Sequence, residues 1–350
     1  MTSRERLYAR MEGKLVDKIP NMNIAMGLVA KMAGVSYREY VQDYRKLVEG
    51  NLICAERFGF DSVSVISDPM REASAFGATL HFPEDGVPYS DPCLLAGGLD
   101  ISRVKAFDPL ESPRTLDRIK GIELLKQKVG TDYPIIGWVE GVLAETADLR
   151  GVNDLMYDLA ESDDDDGGNN NGANNNGASN NPLNDLMELV LKHQCRFALE
   201  QIKAGADIIG VGNAVASLIG PRLYEEHGLK YDIELTNFIQ KNGAKAKLHI
   251  CGNITAILPY LKQVSPDILD IDWMVDFKKA AQLFEEAETS VCGNMDPVSV
   301  MLQGDLKRVK EKVLECATVN DSTVLVAAGC EIPAATPEEN LLLMDKLLYL

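Results

Sequence analysis

Short apolar runs alternate with longer amphipathic stretches along most of the chain. The short runs predict β-strands, and the stretches with apolar residues at helical spacing predict α-helices. The pattern predicts eight strands, at residues 19–25, 61–66, 133–139, 205–213, 245–250, 267–272, 290–294 and 323–328. Because helix and strand alternate throughout, the sheet is expected to be parallel, with right-handed crossovers.

The predicted helices connect these strands one by one. They lie at residues 1–18, 37–58, 118–129, 143–160, 184–204, 221–241, 254–264, 277–287, 298–317 and 337–350, with Thr336 as the N-cap of the last. Eight strand–helix units favour a closed (β/α)8 TIM barrel, here a single domain over residues 1–350 with a short N-terminal helical extension. No Gly-x-Gly-x-x-Gly follows the first strand, which disfavours a dinucleotide-binding fold.

Residues 161–181 break this pattern with a run of Asp followed by Gly and Asn repeats. Such a composition cannot bury apolar surface, and Asn and Gly form turns more readily than helices. We therefore predict a flexible Asp/Gly/Asn-rich insertion on the surface of the barrel.

Charge and composition narrow the class of protein. The 350 residues are 46% hydrophobic, enough for a sizeable core, and 53 acidic against 35 basic residues give a net charge of −18. This charge disfavours nucleic acid and anionic membrane surfaces as partners, since both require a basic footprint. The chain has neither a membrane-spanning apolar run nor a signal-peptide pattern, and its seven cysteines are irregularly spaced. We expect a cytoplasmic protein with reduced thiols.

The candidate chemistry centres on His249, Cys251 and Cys330. Residues two apart on a strand face the same side, so His249 and Cys251 point the same way at a strand end. Cys330 ends another predicted strand, and convergence of the two ends would assemble the ligand set of an open zinc site. The two strands are not neighbours in an eight-stranded ring, so convergence requires loops that lean inward. The alternative is that both cysteines are core thiols and His249 is a hydrogen-bonded core histidine.

Further polar residues follow the predicted strands, and chemistry in a (β/α) barrel collects at these ends. We take Asp68, Glu140 and Asp272 as candidate catalytic residues, and Asn213, Asn253, Asn294 and Glu331 as candidate substrate-binding residues. Each has a structural alternative. Asp68 precedes Pro69 and is suited to initiate a turn, and Asp272, Asn253 and Asn294 are suited to cap helices.

Several stretches resemble a known superfamily. They are residues 61–77, 204–217, 249–253, 272–273, 293–297, 329–333 and 336–340. The chain resembles the uroporphyrinogen decarboxylase superfamily and, within it, the cobamide-dependent methyltransferases. The resemblance implies transfer of a methyl group from methylcobalamin, carried by a methylcorrinoid partner protein, to a small acceptor. In the branch that methylates the thiol of coenzyme M, residues matching His249, Cys251 and Cys330 hold one zinc ion.

The acceptor and the reaction keep alternatives at this point. Relatives in the same branch methylate tetrahydrofolate, and Asn213 stands where the thiol branch tends to carry Asp. The decarboxylase is disfavoured because it grips its substrate with arginines after the first strand, and residues 19–33 contain none. A zinc hydrolase of the same fold and a corrinoid-binding protein without turnover stay open, and a homodimer is a candidate assembly.

Overall fold

The computed structural model describes residues 1–165, 181–320 and 323–350. Within these ranges seven parallel strands form one curled sheet whose spatial order follows the chain. The strands are β1 Val63–Ser64, β2 Ile135–Glu140, β3 Ile208–Gly212, β4 Lys245–Ile250, β5 Ile268–Ile271, β6 Ser290–Met295 and β7 Leu325–Ala328. The α/β barrel class predicted from the sequence is confirmed.

The predicted first strand, residues 19–25, is not a strand, although it occupies the strand position between β7 and β1. The Met22 amide donates to the Val326 carbonyl at 2.9 Å, and the Asp61 amide donates to the Asn21 carbonyl at 2.8 Å. A regular ladder fails because Pro20 has no N–H, and because the Asn21 amide donates to the Asp61 carboxylate at 2.9 Å. An irregular segment therefore bridges the two edges of the sheet, and the prediction of eight strands was wrong by one.

Fifteen α-helices lie within the described ranges. They are α1 Ser3–Met11, α2 Gly27–Met32, α3 Tyr37–Gln42, α4 Tyr44–Phe58, α5 Met70–Phe76, α6 Pro113–Val129, α7 Val142–Arg150, α8 Val152–Asp165, α9 Pro182–Ala204, α10 Gly220–Leu223, α11 Leu229–Lys241, α12 Leu258–Val264, α13 Phe277–Leu283, α14 Leu306–Ala317 and α15 Glu338–Leu347. Two π-helical turns, Tyr224–Gly228 and Pro297–Leu302, precede α11 and α14, and 3₁₀ turns cover Ile101–Arg103 and Ala214–Ser217. No helix in the described part of the chain is both long and apolar enough to cross a membrane.

Local chemistry breaks two predicted helices into pairs. The helix predicted at 37–58 breaks at Asp43, whose carboxylate accepts from the Arg45 amide and begins α4. The helix predicted at 143–160 breaks at Gly151, where φ is +91°. The cap predicted at Thr336 was wrong, because α15 begins after Pro337 and the buried Thr336 hydroxyl has no hydrogen-bond partner among the described residues.

The predicted insertion at 161–181 is only partly covered by the structure. Helix α8 continues to Asp165, so the first residues of the segment are helical and not irregular as predicted. At the other end the Asn181 side chain accepts from the amides of Leu183 and Asn184 and caps α9. The remainder of the predicted insertion, residues 166–180, lies outside the described residues.

The barrel interior determines where polar chemistry is placed. Its lower layer is apolar and comprises Met22, Ile24, Ile66, Ile136, Trp138, Ile208, Ile268, Cys292, Leu325 and Ala327. A Cβ on Gly210 would lie 2.2 Å from the Trp138 ring, so this glycine makes room for the indole. Above this layer Glu140, Gly212, His249 and Asp270 are aligned in register across β2 to β5. Polar side chains therefore collect at the carboxyl ends of the strands.

Candidate functional site

Three metal-ligating side chains converge at the carboxyl end of the barrel. His249 Nε2 lies 3.2 Å from Cys251 Sγ, and Cys251 Sγ lies 3.6 Å from Cys330 Sγ. One ligand atom from each of the three lies within 4.8 Å of the others. The convergence predicted from the sequence is therefore present, and the alternative of two separate core thiols does not describe these cysteines.

Cys330 reaches the end of β4 although β7 is not its neighbour. The loop after β7 packs directly on the loop after β5. The contact is so close that a Cβ on Gly329 would lie 2.2 Å from the backbone nitrogen of Trp273. On the other side the Asp272 carboxylate accepts from the Gly252 amide at 2.8 Å, which fixes the residue after Cys251. Close backbone packing thus brings the Cys330 loop inward over the barrel, which the order of the strands alone would not do.

Gly329→Ala tests this packing. The added methyl group meets backbone atoms that cannot rotate away, so we expect the protein to be destabilised by about 1–3 kcal/mol. The Cys330 loop should move outward, and zinc affinity should fall by about tenfold. Chemical denaturation and a competitive zinc titration measure the two effects. Gly98→Ala is the matched control, because a Cβ there meets no atom within 4 Å; equal stability and zinc affinity for the two variants would contradict the argument.

Protons are unevenly distributed over the triad. The hydrogen bond from the Cys251 thiol, helped by His249 and opposed by burial, lowers the pKa of Cys330 to about 4. The pKa of Cys251 is raised because its thiol donates a hydrogen bond to the Cys330 sulfur and because the thiol is buried. Without a metal the triad thus holds one thiolate at neutral pH. The thiolate is the form of cysteine that binds metal ions.

A buried carboxylate lies next to the His249 imidazole. Burial alone would lower the pKa of His249, but the charges of Asp270 and Cys330 raise it to about 10. Asp270 Oδ2 lies 3.3 Å from His249 Nδ1 and 2.8 Å from Lys247 Nζ, and Lys247 and Asp270 are both 1% exposed. A carboxylate on Nδ1 leaves Nε2 for a metal, as in carboxylate–histidine–zinc sites. The sequence interpretation missed both Lys247 and Asp270.

Asp272 and Asn294 support the loops around the triad. Besides Gly252, the Asp272 carboxylate binds the Met274 amide at 3.3 Å. The Asn294 side-chain amide donates to the Asp272 carbonyl at 3.2 Å and to the Val275 carbonyl at 2.6 Å. Neither residue caps a helix, so the capping alternative was wrong for both.

Asn253 and Glu331 flank the two cysteines but make different contacts. Asn253 is exposed, and its side-chain oxygen accepts from the amide and hydroxyl of Thr255, which forms a local turn and not a helix cap. Glu331 Oε1 accepts from the amides of Met26 and Gly27 at 3.2 and 2.7 Å. Glu331 therefore joins the Cys330 loop to the start of α2.

Asp68 is buried in a bidentate ion pair. Arg114 donates to its two oxygens at 2.8 and 2.6 Å, and the Met70 amide donates to Oδ1 at 3.1 Å. Burial opposes ionisation, but Arg114 prevails and lowers the pKa of Asp68 to about 2. The Met70 contact agrees with the turn-initiating alternative, and the Asp68 side chain is 0% exposed.

Glu140 accepts from a buried arginine at the carboxyl end of β2. Its Oε1 accepts from Arg71 at 3.0 Å, and its amide donates to Glu72 at 3.0 Å. Its Oε2 faces the space above Gly212, where a Cβ would lie 2.8 Å from that oxygen. Burial, opposed by Arg71, raises the pKa of Glu140 to about 7. Gly212 pairs with His249 on the next strand, so the carboxyl group and the imidazole share one row of the barrel.

The sequence interpretation missed the residues beneath Glu140. Arg71 and Glu72 are both 0% exposed and lie side by side on α5. Glu145 and Asp148 follow on α7, where burial and the neighbouring carboxylates raise both pKa values well above the usual range. A charged pair inside the otherwise uncharged Met70–Phe76 helix is the one sequence signal for this cluster.

Asn213 is held by a second buried group. Its amide nitrogen donates to both oxygens of Asp232, at 2.9 and 3.0 Å, and Tyr224 donates to Asp232 at 2.7 Å. Burial raises the pKa of Asp232 to about 6. The Asn213 side-chain oxygen is buried and has no donor among the described residues.

The uroporphyrinogen decarboxylase (URO-D) family profile matches residues 2–347 of the chain. The protein belongs to this family. The solved structure of a methyltransferase from Methanosarcina mazei superposes on this chain with a TM-score of 0.85 at 21% identity, covering 99% of this chain and 98% of that one. A B12-independent methionine synthase from Shewanella shares the fold more distantly, with a TM-score of 0.55 at 13% identity and 95% of each chain covered.

Two kinds of curated relative match this family member. The methylcobamide:CoM methyltransferase MtbA of Methanosarcina mazei is 25% identical, with 97% of this chain and 95% of the relative covered. The corresponding MtaA of Methanosarcina barkeri is 23% identical over the same shares. Uroporphyrinogen decarboxylase of Citrifermentans bemidjiense is 21% identical, with 82% and 79% covered. These methyltransferases therefore match more of the chain than this decarboxylase does.

Proposed function

We propose that this protein is a corrinoid-dependent methyltransferase that moves a methyl group from a methylated corrinoid, carried by a partner protein, to a small thiol. The observation that carries the proposal is the set of one imidazole and two sulfurs within 4.8 Å, with no fourth His, Cys, Asp or Glu ligand in the described part of the chain. Such a set leaves a position open for an exogenous ligand. The names of the methylcobamide:CoM methyltransferase relatives agree with a thiol as that ligand.

The residues present fit one zinc ion held by His249, Cys251 and Cys330. The donor set includes two soft sulfurs, the donors lie close together, and the Asp270 carboxylate lies 3.3 Å from Nδ1 of the imidazole, which leaves Nε2 for a metal. When bound there, zinc holds an acceptor thiol as its thiolate at neutral pH, which is the nucleophilic form of sulfur.

The chain's own residues would then position the reactants and move one proton. Asp272 and Gly329 hold the two cysteine loops at the mouth. Glu140 lies in the same barrel row as His249 and would take the thiol proton, since a carboxyl group with a pKa near 7 accepts protons at neutral pH. The acceptor sulfur forms a bond to the methyl carbon as the carbon–cobalt bond breaks, and the electron pair of that bond stays on cobalt. Proximity and orientation account for most of the rate.

Glu140→Gln tests the proton acceptor. In the wild type the carboxyl group is protonated below pH of about 7 and ionised above it, so methyl transfer should rise as pH rises through that value. The Gln variant should lose this dependence and transfer methyl groups about a hundredfold more slowly. A pH–rate profile with a thiol acceptor measures both. Unchanged rates and an unchanged profile would remove Glu140 from the mechanism.

Tetrahydrofolate is a second candidate acceptor because of one observation at Asn213. The side-chain oxygen of Asn213 is buried without a donor among the described residues, and Glu140 Oε2 faces the same end of the barrel. Acceptor groups of this kind suit the N–H edge of a pterin. A decarboxylase is disfavoured, because residues 19–33 hold no arginine and the nearby Arg71 and Arg114 are paired with buried carboxylates.

Methyl transfer assays on one zinc-analysed sample decide between these functions. Free methylcobalamin is supplied with coenzyme M, with tetrahydrofolate, or with neither, and methylated acceptor is quantified. We expect a zinc-containing protein that methylates coenzyme M. A zinc-free protein that methylates only tetrahydrofolate would overturn the thiol acceptor. Hydrolysis without corrinoid, or decarboxylation of uroporphyrinogen, would overturn the methyltransferase itself.

A further inference from the structure

Half-exposed apolar side chains surround the candidate metal site. Leu218 is 63% exposed, Trp273 44%, Met274 49% and Val298 45%; we call these four residues the apolar rim. They follow β3, β5 and β6 at the carboxyl end of the barrel. Leu342, which is 47% exposed, lies instead on α15.

Backbone contacts place the apolar rim next to the two cysteines. A Cβ on Gly252, beside Cys251, would lie 2.7 Å from Ser217 Oγ, and Leu218 is the next residue. The Asp272 carboxylate binds the amides of Gly252 and Met274 together. On the other side Gly329, beside Cys330, presses against the Trp273 nitrogen. A molecule that covers the triad therefore meets Leu218, Trp273 and Met274.

The loop stretches that carry the apolar rim are poor in charged residues. Residues 214–220, 251–257, 273–275, 297–300 and 332–336 contain no Asp, Glu, Lys or Arg, although 25% of the chain is charged. The carboxylates of Asp272, Asp296 and Glu331 border these stretches, and each accepts two backbone N–H groups. Exposed charges lie at the margin: Asp276 follows Val275, and Arg308 donates to the Ser299 carbonyl at 3.2 Å. Depletion of charge together with exposed Trp and Met is typical of the core of a binding surface.

We propose that the apolar rim binds the corrin ring of the methyl donor, an inference that rests on the proposed function. We call this binding surface the seat. In-line attack requires the methyl–cobalt bond to point at the triad, so the face of the macrocycle must lie over it. That face is apolar and its edge carries neutral amide groups, which suits an apolar patch whose own loop stretches contain no charged residue on a molecule with a net charge of −18. A highly charged protein surface is a poorer match for the same area.

Binding of cyanocobalamin, which has no methyl group to transfer, tests the seat separately from catalysis. Isothermal titration of the full chain is compared for the wild type, Trp273→Glu, Leu218→Glu and the control Leu342→Glu. We expect the two rim variants to bind about tenfold more weakly or worse, and the control to bind like the wild type. Circular dichroism should show unchanged folding, because the substituted side chains are exposed. The KM for methylcobalamin should rise in the same variants with kcat less affected.

The proposed seat and the proposed function fail in different ways. Wild-type binding without methyl transfer to any acceptor would retain the seat and overturn the function. Methyl transfer with no loss of cyanocobalamin affinity in the rim variants would overturn the seat and retain the function. No binding by the wild type would also overturn the seat. If Trp273→Glu separates a dimer and leaves cyanocobalamin affinity unchanged, the rim is an interface between two copies of the chain, and the proposal is wrong.

Discussion

The Cys330→Ala variant is expected to lose zinc and, with it, methyl transfer to a thiol. Cys330 supplies one of the three donors, and the lowered pKa of its thiol makes it the sulfur that is already a thiolate at neutral pH. Loss of a supporting residue behind a metal ligand costs 10–100-fold in affinity, so we expect loss of a ligand to cost about a hundredfold or more. Metal analysis after dialysis and a thiol methylation assay measure the two effects.

Cys195→Ala is the matched control for this substitution. Cys195 is half-buried on α9 and lies outside the cluster of His249, Cys251 and Cys330. The control should retain zinc and activity. A Cys330→Ala protein that keeps one zinc ion and the wild-type rate would show that the triad is not the metal site.

Lys247→Met is expected to destabilise the metal-free protein by about 3 kcal/mol, because it removes the nearer of two cations beside the buried Asp270 carboxylate and leaves only the His249 imidazolium, 3.3 Å away. Lys247 and Asp270 are 2.8 Å apart in the barrel interior. Burial alone would favour the neutral form of both groups. Asp270 nevertheless raises the pKa of Lys247, and Lys247 lowers the pKa of Asp270, so both side chains stay charged. Urea denaturation of the metal-free protein measures the loss in the free energy of unfolding.

The double variant Lys247→Met/Asp270→Asn separates stability from metal binding. Removing both charges should restore much of the free energy of unfolding, since neither charge then stays unpaired. Zinc affinity should still fall by about 10–100-fold, because His249 Nδ1 loses the carboxylate that orients it. A double variant with wild-type zinc affinity would contradict the orienting role of Asp270.

The barrel could be predicted from the sequence because each buried parallel strand leaves a short apolar run between helical stretches. The closing segment could not. Pro20 and Asn21 lie in an apolar run that reads as a strand, and the amide of Asn21 bonds a carboxylate 40 residues away. The helix breaks at Asp43 and Gly151 could not be predicted either, because Asp and Gly are residue types that also occur inside uninterrupted helices.

Part of the site could be predicted from the local sequence, and part depends on long-range packing. His249 and Cys251 share a strand face by spacing alone, whereas Cys330 joins them through the packing of Gly329 on Trp273. Asp270 contacts His249 through the register between β4 and β5, which no single strand encodes. The same applies to Arg71 beneath Glu140, which α5 brings to the end of β2.

X-ray absorption at the zinc edge tests the central claim most directly, namely that His249, Cys251 and Cys330 hold one metal ion with a position open for a thiol. The purified protein should contain one zinc ion with two sulfurs at about 2.3 Å and an imidazole nitrogen at about 2.0 Å. Addition of coenzyme M should raise the sulfur count from two to three. A protein without stoichiometric zinc, or a zinc shell of nitrogen and oxygen alone, would contradict the account.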